Sequence, residues 1–178
     1  MSVPDVEQVI AEVYREAGSR LAAYGYVLTG SRHGAEELVQ AAVVKTFVKR
    51  RRLHDARSAE GYIRATMRTL HVDAIRRDRI WARLVPRVAP RTHAEHAGDV
   101  EDHDEISRAL AALPPRVRTA VALRFYDDLT VADIAHVMRL SDGTVKKYLQ
   151  EGRERLAPLL GVSVTEPERL PVVERRQR

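Results

Sequence analysis

Residues 129–153, LTVADIAHVMRLSDGTVKKYLQEGR, constrain this chain more than any other stretch. They read as two short helices with a tight turn between them. Thr130 is a good N-cap, and Asp133 three residues on supplies the partner of a capping box. Val131, Ile134, Ala135 and Met138 fall near one face at helical spacing. Arg139-Leu140-Ser141 makes the turn, and Ser141 can cap the helix that follows. Val145 and Leu149 then point inward. Thr144, Lys146, Lys147, Gln150 and Arg153 are left on the outer side. Ala135 is small, which suits a close helix crossing. A short capped helix with basic outward groups, braced by the helix before it, fits a helix-turn-helix that enters the DNA major groove. The same pattern also describes an ordinary helical hairpin with a solvated basic face.

Composition narrows the choices further. At 178 residues the chain is long enough for one domain or two small ones. It has no cysteine, so disulfides and thiolate metal sites are excluded. Aromatics make up only 5% of residues, so its cores must be built of Leu, Val, Ile and Ala, as helices allow. No apolar run reaches the length of a membrane span, and the start, MSVPDVEQ, lacks a basic-then-apolar signal. A cytoplasmic protein is expected. The charge is unevenly spread. Residues 44–91 hold 14 Lys and Arg against four acids, whereas residues 92–105 hold six acids and no Lys or Arg. Such blocks point to two modules, an acidic connector and a polyanionic partner.

Taken in order, residues 6–28 read as a first helix, which Gly18 and Gly25 weaken and Gly30 closes as a left-handed cap. A second helix runs from His33 or Gly34 to Arg52. Its apolar surface is wide, and Glu36, Glu37 and Gln40 form a polar side near its start. Its last turn, Lys49-Arg50-Arg51-Arg52, either caps the helix or faces phosphate. A loop at 53–59 precedes a third helix that reaches Leu84. Ile63, Met67, Leu70 and Ala74 form its core stripe, and Asp73 is spaced to pair with Arg77. Arg64, Arg68 and His71 form a second stripe, with Tyr62 at its start and Arg76 and Arg77 beyond. Such a face could track a nucleic-acid backbone and stack on a base, or it could be a solvated surface. Pro86 and Pro90 end the helix. The polar segment that follows contains His93, His96 and His103. Nothing orders these side chains, so no metal site is assigned. Residues 105–113 form a short helix stopped by Pro114-Pro115, another helix follows to about Tyr126, and the helix-turn-helix comes next. The expectation is an all-α protein of two small helical domains joined by a flexible linker, the second a helix-turn-helix. The modules span 6–85 and 105–161, with an acidic linker at 86–104 and a mobile basic tail at 162–178.

These residues resemble the extracytoplasmic-function (ECF) family of bacterial RNA polymerase sigma factors. LTGSRHGAEELVQAAVVKTF resembles that family's L-T-G-x-x-x-x-A-E-D-L-V-Q-E-T-F run, and GYIRATMRTLHVDAIRR its W-L-x-x-I-A-R-N-x-x-x-D-x-x-R-R helix. The segment from ALAALPPRVRTAVALRFYDDL through TVKKYLQEGRERL resembles its L-P-x-x-x-R-x-V-x-L-R and helix-turn-helix run. The likeness covers residues 14–160 and comes nearest to the actinobacterial SigE-like branch. It implies a promoter-specificity subunit with no cofactor and no catalytic residue. By that likeness Glu36, Glu37, Leu38, Val39 and Gln40 dock on the β′ clamp helices of core RNA polymerase, with the β flap as a second contact. Tyr62, Arg64, Arg68, His71, Arg76 and Arg77 hold the −10 element. Thr144, Lys146, Lys147, Gln150 and Arg153 read the −35 element as duplex. An anti-sigma factor is a further partner of such proteins. The chain departs from the pattern at Ala41 and Val43, where the family has Glu and Phe, and at Phe47, Tyr62, Thr69, Lys147 and Tyr148. Arg139 replaces the turn glycine.

Rival readings are a stand-alone helix-turn-helix transcription regulator and a nucleic-acid enzyme. A response regulator would need a βα receiver pattern, which is missing. An enzyme needs clustered carboxylates or an activated nucleophile, and no motif supplies either.

Overall fold

The computed structural model describes residues 6–48, 56–84, 105–159 and 161, which form seven helices with no strand among them. The basic cluster at 49–52, residues 53–55 of the loop that follows it, the acidic connector with its three histidines and the tail at 162–178 lie outside the described residues. Three helices build the first group: α1 (Val6–Thr29), α2 (Arg32–Val48) and α3 (Ala56–Leu84). Four build the second: α4 (Glu105–Ala111), α5 (Pro115–Phe125), α6 (Val131–Met138) and α7 (Asp142–Leu159).

The first group is a three-helix bundle. α1 runs unbroken through Gly18 and Gly25, because its packing on α2 and α3 outweighs two weak positions. Its end is set by Gly30, whose φ of 75° is the left-handed value that glycine adopts at little cost. The Gly30 N–H donates to the Tyr26 carbonyl at 2.7 Å. α3 begins at Ala56, so Ala56 and Arg57, expected in a loop, are helical. Ala56 and Ala59 are buried, and burial of that first turn favours helix. Ile63 and Met67 are completely buried as expected, while Leu70 and Ala74 are only half-buried. Asp73 pairs with Arg76 at 3.0 Å, not with Arg77, which points to solvent.

The second group is the helix-turn-helix with its supports. Leu123, Ile134 and Val145, from α5, α6 and α7, meet in its core. α5 and α7 cross closely at the buried Gly152, where an added Cβ would lie 2.5 Å from Val121 Cγ2. Only glycine lets α7 lie so near.

Sequence reading treats the two groups as separate modules, and the structure packs them together. Leu110, Leu113, Val117, Val121 and Ala122 join the core of α1, α2 and α3, and Val72 of α3 joins the core of the helix-turn-helix. The polar centre of this seam is Arg118 on α5, only 6% exposed. Its Nε donates to the Leu28 carbonyl at 3.2 Å and its Nη2 to the Thr29 carbonyl at 2.6 Å. Its Nη1 donates to the carbonyls of Ala111 and Leu113 at 3.0 and 3.1 Å. Helix C-termini leave carbonyls without intrahelical partners, and one guanidinium satisfies those of α1 and α4 together. Burial lowers the Arg118 pKa to about 10, which still leaves it charged at neutral pH. Arg118→Met should strand these carbonyls in the seam and cost about 3 kcal/mol or more of unfolding free energy, measured by urea denaturation. Unchanged stability would show that the seam does not form in solution.

Candidate nucleic-acid interface

The recognition helix is held by local chemistry. Thr130 Oγ1 accepts from the Asp133 N–H at 3.1 Å, and the Asp133 carboxylate accepts from the Thr130 N–H at 3.1 Å, completing the capping box. The Thr130 hydroxyl, which donates to the same carboxylate at 2.6 Å, and the Thr130 N–H together hold the Asp133 carboxyl below its ordinary pKa. α6 then stops at Arg139, whose φ of 52° is left-handed. That conformation is why glycine is the residue expected at this turn. Ser141 Oγ accepts from the Thr144 N–H at 3.2 Å and starts α7.

From this base α7 exposes Lys146, Lys147, Gln150 and Arg153 on its outer side, with Val145 fully buried behind them. Thr144 is half-buried, with its hydroxyl 2.9 Å from Ser141 Oγ. Gln150 donates to Glu154 at 2.8 Å, so its amide must be released before it can read a base. The exposed pair Lys146 and Lys147 is suited to duplex phosphates and base edges.

The residues expected to hold single strand are placed differently. Tyr62 is 38% exposed and Arg77 is exposed, whereas Arg76 is half-buried against Asp73. Arg64 and Arg68 face the second module. Their Nη atoms lie 4.0 and 3.7 Å from Asp127 Oδ1, just beyond α5. Tyr24 donates its hydroxyl to Asp127 Oδ2 at 2.7 Å, and Arg64 sits 4.5 Å from the centre of the Tyr24 ring. Burial and this acidic partner push the Tyr24 phenol well above its ordinary pKa. A carboxylate thus occupies the basic stripe where a phosphate would be drawn.

His71 requires a correction. It is buried beneath α5 rather than presented on a nucleic-acid face, with Nε2 2.9 Å from Thr119 Oγ1. Thr119 donates its own proton to the Pro115 carbonyl at 2.8 Å. Its oxygen therefore accepts from His71, which places the imidazole proton on Nε2. Burial, with Arg118 nearby, pulls the His71 pKa down to about 4.

α2 also differs from expectation. Glu36, Glu37 and Gln40 are exposed and Leu38 is half-buried, but Val39 is buried in the three-helix core and cannot meet a partner. Exposed Val44 and Val48 continue the outer face with Glu37 and Ala41, at i, i+4, i+7 and i+11. Apolar residues on an outward face were a signal available in the sequence, hidden because the helix is apolar on several sides.

Two family models match the chain in order: sigma-70 region 2 over residues 13–80 and sigma-70 region 4 over residues 103–156. The ECF RNA polymerase sigma factor SigE of Mycolicibacterium smegmatis is 28% identical over 156 residues, covering 84% of this chain and 60% of that protein. The ECF RNA polymerase sigma factor SigW of Bacillus subtilis is 24% identical over 161 residues, covering 83% and 84%. In fold, the chain is similar to the sigma factor RpoE of Bartonella quintana, solved in complex with the anti-sigma factor NepR. The TM-score is 0.51 and the identity 21%, covering 88% of this chain and 96% of that one.

Because buried His71 is neutral when folded and has an ordinary pKa near 6.5 when unfolded, the unfolded state binds more protons between those values. Stability from this group should be full above pH 6.5 and fall by about 3 kcal/mol as pH drops towards 4. His71→Gln keeps a donor for Thr119, so its stability should lose less than the wild type does across that window. Parallel pH profiles by denaturant titration would place His71 in solvent. With regions 2 and 4 matched in order and the helices of both in place, this chain belongs to the ECF sigma factors of the sigma-70 family.

Proposed function

We propose that the protein joins core RNA polymerase and directs it to a subset of promoters. The observation that carries this reading is one chain with a capped recognition helix bearing free Lys146 and Lys147 and a separate Arg-lined helix, in the order of regions 2 and 4. Residues 6–85 act as region 2. Glu36, Glu37 and Gln40, extended by Val44 and Val48, meet the β′ clamp helices, as an exposed apolar strip beside charge favours. Tyr62, Arg64, Arg68, Arg76 and Arg77 hold the opened −10 strand. Residues 105–161 act as region 4, contacting the β flap and reading the −35 duplex with Thr144, Lys146, Lys147, Gln150 and Arg153. Residues 86–104 link the two and residues 162–178 form the basic tail. An anti-sigma protein is a further partner.

Arg64 and Arg68 can reach DNA only after Asp127 leaves them, so the modules must part when the polymerase and promoter bind. The protein acts in the cytoplasm at the nucleoid, without catalysis of its own. No described helix is long and apolar enough to cross a membrane.

Run-off transcription with purified core polymerase on genomic promoter fragments should give transcripts that need both proteins. A transcript-free result on every promoter would end this reading, and duplex binding without core dependence would favour the stand-alone regulator. Lys146→Glu combined with Lys147→Glu should weaken −35 duplex binding by tenfold or more, on the order of two lost phosphate contacts, and flatten its salt dependence. Core binding should survive, and its loss in a folded double variant would move the polymerase contact onto α7.

A further inference from the structure

Where the far end of α3 meets the turn before α7, a pocket of about 440 Å³ opens, lined chiefly by Arg79, Arg116, Arg139, Ser141, Thr144 and Tyr148. Its three guanidiniums come from three places: Arg79 from α3, Arg116 from α5 and Arg139 from the α6–α7 turn. None of the three pairs with a carboxylate among the described residues. Arg20, Arg64, Arg68, Arg76 and Arg155 each do. Arg79 Nη1 donates to the Arg139 carbonyl at 3.4 Å.

Three cations converging on one concavity without an acid repel each other, and a bound polyanion removes that cost. The remaining lining fits the same ligand. Ser141 and Thr144, at the start of the 18-residue α7, line the pocket with their hydroxyls 2.9 Å apart, where the helix dipole is positive. Guanidinium forks suit phosphate oxygens, which accept two bonds at once. Half-buried Tyr148 adds an aromatic wall.

We propose that this pocket binds a small oligophosphate, of the kind carried by a nucleotide. Arg79 belongs to the first module and the other residues to the second, so the site is whole only while the two are packed. The bound anion therefore stabilises the packed arrangement by mass action and opposes the separation that promoter binding needs. Backbone phosphates of duplex DNA share this chemistry, but a duplex lying along α7 has no use for Arg79. The site itself does not depend on the promoter reading.

Isothermal titration of the full chain with inorganic tripolyphosphate, at constant ionic strength, tests the site. Saturable binding of one anion per chain is expected, weakened about tenfold or more by Arg79→Ala and by Arg139→Gly. Glycine suits the φ of 52° at position 139, so lost binding there cannot be put down to a broken turn. A short duplex titrated into Arg79→Ala should bind as tightly as to the wild type. The chain has no cysteine, so Ala41→Cys with Glu154→Cys can carry a dye pair. Tripolyphosphate should then raise energy transfer between α2 and α7 in urea concentrations that part the modules. No saturable binding, or binding indifferent to Arg79→Ala, overturns the proposal. Parallel loss of tripolyphosphate and duplex in Arg79→Ala also overturns it and assigns the pocket to the DNA backbone.

Discussion

The polar join between the two modules depends on where Arg118 puts its guanidinium. Four carbonyls at the ends of α1 and α4 converge on it, two from each module, and none has an intrahelical partner to fall back on. Moving the modules apart exposes the Leu28 and Thr29 carbonyls and the charge to water, which is tolerable. Removing the charge while they stay packed is not, because the carbonyls are then buried without donors. The contact is thus suited to a reversible join: strong when dry and complete, and replaceable by water on opening. Gly30 belongs to the same device, since a side chain there would collide with Arg118.

Around that pin the seam is built from polar and charged pairs. Asp127 draws Tyr24, Arg64 and Arg68 to one carboxylate, and Thr119 takes the one proton His71 offers. Arg64 and Arg68 are about one third exposed, so their attraction to Asp127 is modest and yields to a polyanion that brings several charges. The stripe is thus covered by one acid without being locked. The apolar contacts of Leu110, Leu113 and Val117 with the first bundle then carry most of the cohesion.

How much of this could be read beforehand follows from the range of each interaction. The capping box, the Ser141 cap, the inward Val145 and the outward lysines all depend on residues within four positions, and they were legible. The stripe of Arg64, Arg68 and His71 was legible as a face, because helical spacing places them together. What lies against that face was not, since Asp127 and Thr119 are some fifty residues or more away in the chain and no period links them. Val39 failed for a related reason: on a helix apolar on most sides, spacing does not say which side is core. Val48, read as part of that apolar surface, turns out with Val44 to be its outer edge.

Arg139 shows local and distant demands acting on one residue. Its backbone is left-handed, where a side chain other than that of glycine, asparagine or aspartate costs about 1 kcal/mol. A chain selected only for the turn would hold glycine there. Leu140 N–H reaches back to the Ala135 carbonyl at 2.9 Å, so the turn closes as a glycine turn would and the strain is confined to one residue. The guanidinium gains something a glycine cannot: it reaches the pocket that Arg79 and Arg116 also line, and its carbonyl receives Arg79 across the seam. Strain kept at a residue whose side chain joins two other cations is expected of a ligand site, where stability is given up for recognition. The turn before the recognition helix is therefore also where the two modules can sense a common anion.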